Sequence, residues 1–406
     1  MEAKGPARVV SAGRFTLGCT IHIDRAAIGR TGPDRRVGAG QVSTPVQHWA
    51  VLVLAVVTWA LPALGGDTAP PASGVAAPVG DEPPSAYLSK NVDPGSARRG
   101  QSGSITPVTP SPGPSAAPEP APANLLAVVR GTGSTTAVTT SEELAGAISS
   151  AKPGDTIRMA AGTYSPVVIT SAGTTAAPIT LTGPADAVIT GSGKDYTVHL
   201  DGASYWQLVG FGVTGGGKGV MLDNTQHTLL DSLDVGRTGD EAVHFRANSS
   251  DNTVQRSTIH DTGLQQPGYG EGVYVGSAKS NWKKITGGQP DLSMRNRIVG
   301  NTFRTITAEN VDVKEETAGT LITGNRFDGS ATSGENYADS IVDVKGYDTT
   351  VTDNVTTGDS AALTNIIETH VITDKATSGC GNTIEGNTTD GFTPKGALLS
   401  VDKKCG

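Results

Sequence analysis

The chain predicts an all-β fold, a right-handed parallel β-helix (solenoid) with an N-terminal capping helix. Three observations carry that expectation. The first is a strand motif that returns down the second half of the sequence. It reads Glu241-Ala-Val243-His244-Phe245-Arg246, Glu271-Gly-Val273-Tyr274-Val275-Gly276, Glu309-Asn-Val311-Asp312-Val313-Lys314 and Ser340-Ile-Val342-Asp343-Val344-Lys345. Each copy alternates branched apolar and polar residues, the period-two pattern of a half-buried strand. The second is a companion series: Val254-x-x-Ser257, Ile298-x-x-Asn301-x-Phe303, Ile322-x-x-Asn325-x-Phe327, Val351-x-x-Asn354 and Ile384-x-x-Asn387. The third is composition, with 53 glycines against only 4% aromatic residues, which suits thin coils of short strands and tight turns. Strands that repeat at intervals of roughly 20–50 residues mark a solenoid, in which each unit buries its apolar side only against its neighbours.

Taken in chain order, residues 1–66 read as an N-terminal extension with an uncharged apolar run at 49–64. That run is short for a membrane span and suits a secretory leader, with Gly65-Gly66 near a cleavage point. The alternative is an uncleaved single anchor; either reading places the repeats outside the cytoplasm. Residues 67–130 form a Pro/Ala/Ser-rich linker, and 13 of the 24 prolines fall in 67–123. Such a stretch buries too little apolar surface to offset its ordering entropy and is expected to be disordered. The folded domain is predicted over 131–406. It opens with Thr140-Ser-Glu-Glu143, a capping box, before the apolar face Leu144, Ala147, Ile148 and Ala151; a helix there would cover the exposed edge of the first coil.

Strands then follow at Thr156–Met159, Ile179–Leu181, Val198–Leu200 and Val220–Leu222 before the motif proper. The spacing between equivalent positions runs from 22 residues (Val198 to Val220) to 38 (Val273 to Val311). The excess is loop. The longest insertion, 277–296 with Trp282, is expected to wall a cleft. Asparagines stacked in the companion series should form an amide ladder at a turn. Cys19 precedes the apolar run, so Cys380 and Cys405 are the pair expected to form a disulfide closing the last coil in an oxidising compartment.

The net charge is −8, and no basic patch with stacking aromatics appears, so nucleic acid is not the expected partner. Function should instead sit on the outward ladders. In the motif the valines point inward, leaving His244, Tyr274, Asp312, Asp343 and Glu368 outside, with Arg246, Gly276, Lys314, Lys345 and His370 two residues on. Glu241, Glu271 and Glu309 lie just before each strand. Charges of both signs alternate in register over four coils, beside the longest loop.

At this point a family resemblance enters. Gly270-Glu-Gly-Val-Tyr-Val-Gly-Ser277, Asn296-Arg-Ile-Val-Gly-Asn301-Thr-Phe303 and Glu309-Asn-Val-Asp-Val-Lys314 resemble the alginate and chondroitin lyases of polysaccharide lyase family six, as does the opening Ala151-Lys-Pro-Gly-Asp-Thr-Ile157. The resemblance implies a parallel β-helix that cleaves acidic polysaccharide by β-elimination. It implies Lys314 as general base, Glu309 as a calcium-binding or carboxylate-neutralising residue, and Lys345 in place of a family arginine. The chain departs from the family pattern at Thr307, Glu315, Tyr274 and Gly346.

The chemistry asks for the same groups. Removing the proton beside a uronate carboxylate needs cations that neutralise that carboxylate, here Lys314, Lys345 and Arg246, and a base of lowered pKa, for which a lysine crowded by other cations can serve. Tyr274 or His244 would return a proton to the leaving oxygen. Glu271, Asp343, Trp282 and His370 are candidate substrate contacts. Glu309 with Asp312 offers hard oxygen ligands for Ca²⁺. The expected protein is secreted and monomeric. Two alternatives stand beside the lyase: a glycoside hydrolase using Asp312 and Asp343 as its carboxylate pair, and a noncatalytic carbohydrate-binding solenoid.

Overall fold

The computed structural model describes residues 124–372 and 378–405. The apolar run at 49–64, Cys19 and most of the linker lie outside the described residues. Within them, each coil contributes three short strands in a fixed order, to a back sheet, a side sheet and a front sheet. The back sheet holds ten strands, the other two nine each, and neighbours in every sheet come from successive coils. The pairings are parallel throughout, as in Val220↔Val243↔Val273↔Val311↔Val342↔Ile367 of the front sheet. With the usual crossover chirality this is the expected right-handed parallel β-helix. Its core is a set of stacked columns, and this valine column is at most 2% exposed from Val220 to Ile367. Burying each such side chain contributes about 1.5–3 kcal/mol.

The companion series is two strands rather than one. Arg297–Val299 belongs to the back sheet and Thr302–Arg304 to the side sheet. The break is a residue in the left-handed region: Ser232, Arg256, Gly300, Gly324, Asp353 and Gly386 occupy it in successive coils, with φ between 50° and 69°. That conformation turns the chain, and in the last four of these coils the asparagine that follows secures the corner. Asn301 donates from its backbone N and from Nδ2 to Asn325 Oδ1 at 2.9 and 3.1 Å. Asn325 does the same to Asn354, and Asn354 to Asn387. Each Nδ2 also donates to a back-sheet carbonyl. The amide ladder is therefore present, buried, and runs through four coils.

The capping helix spans Ser141–Ser150, with the Thr140/Glu143 capping box formed and Leu144 and Ile148 buried. It packs on the first strands of all three sheets, which is where a solenoid otherwise shows open core. At the other end Cys380 and Cys405 form the expected disulfide. No helix among the described residues is long and apolar enough to cross a membrane.

One ordered element starts earlier than expected. Residues 124–130 lie as an extended strap along the back sheet. Gln255 holds Leu126 by two hydrogen bonds, accepting from its N and donating to its O, both 2.8 Å. Gln207 holds Val129 in the same way, at 2.6 and 2.7 Å. The two glutamines are two coils apart and their partners three residues apart, which an extended chain at about 3.3 Å per residue spans.

Candidate active site

The front sheet places its outward residues in two columns. His244, Tyr274, Asp312, Asp343 and Glu368 stand in register in the first. The second continues past the strand ends through Arg246, Gly276, Lys314, Lys345 and His370, joined by backbone bonds such as Lys314 N to Val275 O and Lys345 N to Val313 O. A third column precedes the strands: Glu241, Glu271 and Glu309, whose carbonyls accept from the coil before. Coiling thus brings residues up to 129 positions apart, Glu241 and His370, onto one surface. Loops at the two strand ends raise its walls, and the result is a cleft of about 780 Å³.

The cleft floor is a buried charge lattice. Lys314 pairs with Asp312 Oδ2, and Lys345 bridges Asp312 Oδ1, at 3.0 Å, and Asp343. His370 Nδ1 reaches Asp343 Oδ1 at 2.8 Å. The Lys314 ammonium lies 4.8 Å from the centre of the Tyr274 ring, and His244 meets that ring edge-on at 4.4 Å. His244 Nε2 donates to Gly276 O at 2.8 Å, and its Nδ1 faces Glu241 Oε1 at 3.4 Å. Gly276 leaves a hollow in the second column between Arg246 and Lys314. It needs φ of 83°, and a Cβ there would stand 2.6 Å from the Thr317 methyl.

Electrostatics sort these groups. Burial would lower the lysines, but Asp312 with its acidic neighbours outweighs it and holds both Lys314 and Lys345 above the ordinary lysine range. Burial likewise opposes ionisation of Asp343, yet Lys345 and His370 keep it well below the usual carboxylate range. Glu241 is held down to about 2 against its burial by His244 and Lys218. The opposite holds next to them. Burial, then Asp312, pushes Glu309 up to about 8; burial, then Glu241 and Glu309, pushes Glu271 well up. Burial, then Asp312 and Glu271, also keeps the Tyr274 phenol protonated. The lattice holds more carboxyls than cations, and protons make up the difference.

Most of the sequence-predicted residues meet here: His244, Arg246, Glu271, Tyr274, Glu309, Asp312, Lys314, Asp343, Lys345 and His370 all line the cleft. Two need restating. Trp282 is not a cleft residue; it is buried, its Nε1 donates to Ser277 O, and it anchors the loop whose Asn281 and Lys284 face inward. Arg246 is at the cleft but spent, its guanidinium held bidentate by Asp223 at 2.7 Å per bond. Lys314 also differs from a lysine with lowered pKa, because carboxylates surround it where cations were expected. Lys218, Tyr269, Tyr337 and Asp339 line the cleft as well. The sequence could have given Lys218, which sits two residues before Val220 as Glu241 sits before Val243; nothing in it marked the two tyrosines.

Glu271, Glu309 and Asp312 form an acidic triad whose ligand atoms lie within 4.8 Å of one another, a grouping that could hold a cation.

No protein-family model and no curated protein matches the sequence. Among solved structures, the chain is similar to an alginate lyase from Paenibacillus sp. str. FPU-7, at 35% identity and TM-score 0.62, over 66% of this chain and 92% of that one. It aligns more weakly with pectate lyase Pel9A, at 14% identity and TM-score 0.48, over 66% and 78% of the two chains. A mannuronic acid specific polysaccharide family 6 lyase from human gut microbiota aligns at 17% identity and TM-score 0.39, over 65% and 61%.

Proposed function

Because this chain belongs to the family of the Paenibacillus alginate lyase, we propose that it is a secreted enzyme cleaving a uronic-acid polysaccharide by β-elimination. The observation that carries the reading is the buried Lys314–Asp312–Lys345 lattice set against a protonated tyrosine in one cleft. A hydrolytic carboxylate pair is not favoured. Lys345 bridges Asp312 and Asp343, and Asp343 stays ionised, which leaves that pair without a proton to donate.

In the reaction, the proton beside the uronate carboxylate goes to a base and the bond to the leaving glycosidic oxygen breaks. A ring double bond forms, and the oxygen takes up a proton. Lys345 and the neutral Glu309 carboxyl receive the uronate carboxylate, so that negative charge developing at the adjacent carbon is tolerated. Lys314 rests as an ammonium. Polymer filling the cleft displaces water and penalises both partners of the Lys314–Asp312 pair. Base action needs the Lys314 amine, so the ammonium proton moves onto the surrounding carboxylate cluster before the sugar's proton is taken up. The Tyr274 phenol donates to the departing oxygen.

The acidic triad fits this proton chemistry better than it fits calcium. Both oxygens of Asp312 already face ammonium groups, which would repel a divalent ion, and no step here runs through a metal. The experiment is incubation with alginate and other polyuronates, reading the unsaturated product in the ultraviolet with calcium and with chelator. Product formation equal in both is expected. Binding without product would make the protein a carbohydrate-binding solenoid instead.

A pH profile tests Glu309. Its carboxyl is neutral below about 8 and ionises above it, so kcat/KM should fall as pH rises through about 8. Glu309→Gln, which stays neutral, should keep most of the activity and lose that alkaline limb; an unchanged limb would remove Glu309 from the carboxylate site.

A further inference from the structure

The cleft has an aromatic rim that the charge lattice does not explain. Tyr337 is 89% exposed and Tyr269 50%, although both line the cleft. They stand on the short turns Pro267–Tyr269 and Glu335–Tyr337, which lead into front-sheet strands Val273–Val275 and Ser340–Val344, two coils apart with Val311–Val313 between them. Asn336 Nδ2 donates to Gly268 O at 3.0 Å and ties one turn to the other. The loop 277–296 leaves from the other end of the strands, so the tyrosines form the facing wall. The backbone under Tyr337 is also unusual. Asn336 and Tyr337 have φ of 52° and 68°, a conformation that costs a bulky residue free energy and persists where surrounding structure or function requires it. At 89% exposure, Tyr337 has too little packing among the described residues to recover that cost. A large exposed aromatic ring held in strained backbone at the lip of a binding cleft lacks a folding role.

We propose that Tyr337, with Tyr269 on the adjoining turn, is a substrate-binding platform on which a pyranose ring of the bound polyuronate stacks, outside the charged centre. The proposal rests on the reading of the cleft as a polyuronate site. A sugar presents an apolar C–H face that fits an aromatic ring, while its carboxylate points to the cationic floor. The division of labour is physical: the charge contact of the uronate carboxylate with Lys345 weakens with salt, whereas stacking at the rim does not.

The test is electrophoretic retardation in gels containing alginate or polygalacturonate, for wild type and for Tyr337→Ala, Tyr337→Phe and Tyr337→Trp. Tyr337→Ala should weaken binding roughly 3- to 10-fold and raise KM on polymer by the same factor, with kcat nearly unchanged. Phe and Trp, which keep the ring, should restore both. Tyr337→Gly should bind as weakly as Ala while melting higher than wild type, because glycine relieves the backbone; this separates lost stacking from damaged folding. Wild-type retardation by neither polymer, or Tyr337→Ala binding as tightly as wild type, overturns the platform. The two readings fail separately. Unsaturated product with unchanged KM in Tyr337→Ala sinks the platform alone, and ring-dependent retardation without product sinks the lyase chemistry alone.

Discussion

Replacing Lys314 with alanine is expected to lower kcat/KM by about three orders of magnitude while leaving polymer binding largely intact. A positioned proton-transfer group contributes typically 10²–10⁴-fold, and Lys314 also supplies one of the two ammoniums beside Asp312. The binding surface survives, because Lys345 still bridges Asp312 and Asp343 and the rim is untouched. The fold should survive too. Asp312 keeps its bond to Lys345 at 3.0 Å, so that carboxylate is not left unpaired. Initial rates of unsaturated-product formation, beside retardation in alginate gels, separate the two effects. A variant that retains its rate would move the base elsewhere in the cleft, whereas one that loses binding in proportion would make Lys314 a contact only.

The second large effect concerns stability. Asn325→Ala should cost about 3–5 kcal/mol and lower the melting temperature by roughly 10 °C. Asn325 Oδ1 accepts from both Asn301 N and Asn301 Nδ2, and its own Nδ2 donates to Ile298 O and Asn354 Oδ1. The site is 1% exposed, so water cannot replace those bonds. Each buried group left unsatisfied costs about 1–3 kcal/mol. Asn387 also accepts from Asn354 N and Nδ2 and donates to Val351 O and Glu385 O, but at the end of the ladder it is 8% exposed, so water can replace part of what is lost and its alanine variant should lose less. Thermal unfolding of the two variants checks the order. Equal losses would mean that the asparagines act singly rather than as a chain.

Much of this was legible because a solenoid turns sequence period into spatial neighbourhood. Once Val243, Val273, Val311 and Val342 are recognised as one column, the side chains one and three residues on must also align. That is how His244, Tyr274, Asp312 and Lys314 could be grouped before any coordinates. What escaped was whatever does not repeat. The split of the companion series into two sheets depends on a left-handed residue that is glycine in some coils and Ser232, Arg256 or Asp353 in others, so no fixed letter announces it. Trp282 was misjudged because loop folding, not strand register, decides whether it faces the cleft or the loop interior. The lysine electrostatics turned on counting acids: Glu271, Glu309 and Asp312 surround Lys314 only because the column before each strand leans over the column on it.

The strap that Gln207 and Gln255 hold against the back sheet determines how the domain meets mechanical load. Tension arriving at residue 124 reaches the middle of the stack, where Arg297 Nη2 contacts Asn124 O, and not the helix at its tip. The strap would therefore peel clamp by clamp, first from Arg297, then Gln255, then Gln207, before any coil is asked to unwind. Force would be shed in small successive ruptures along the back sheet, and the front sheet with its cleft would stay assembled.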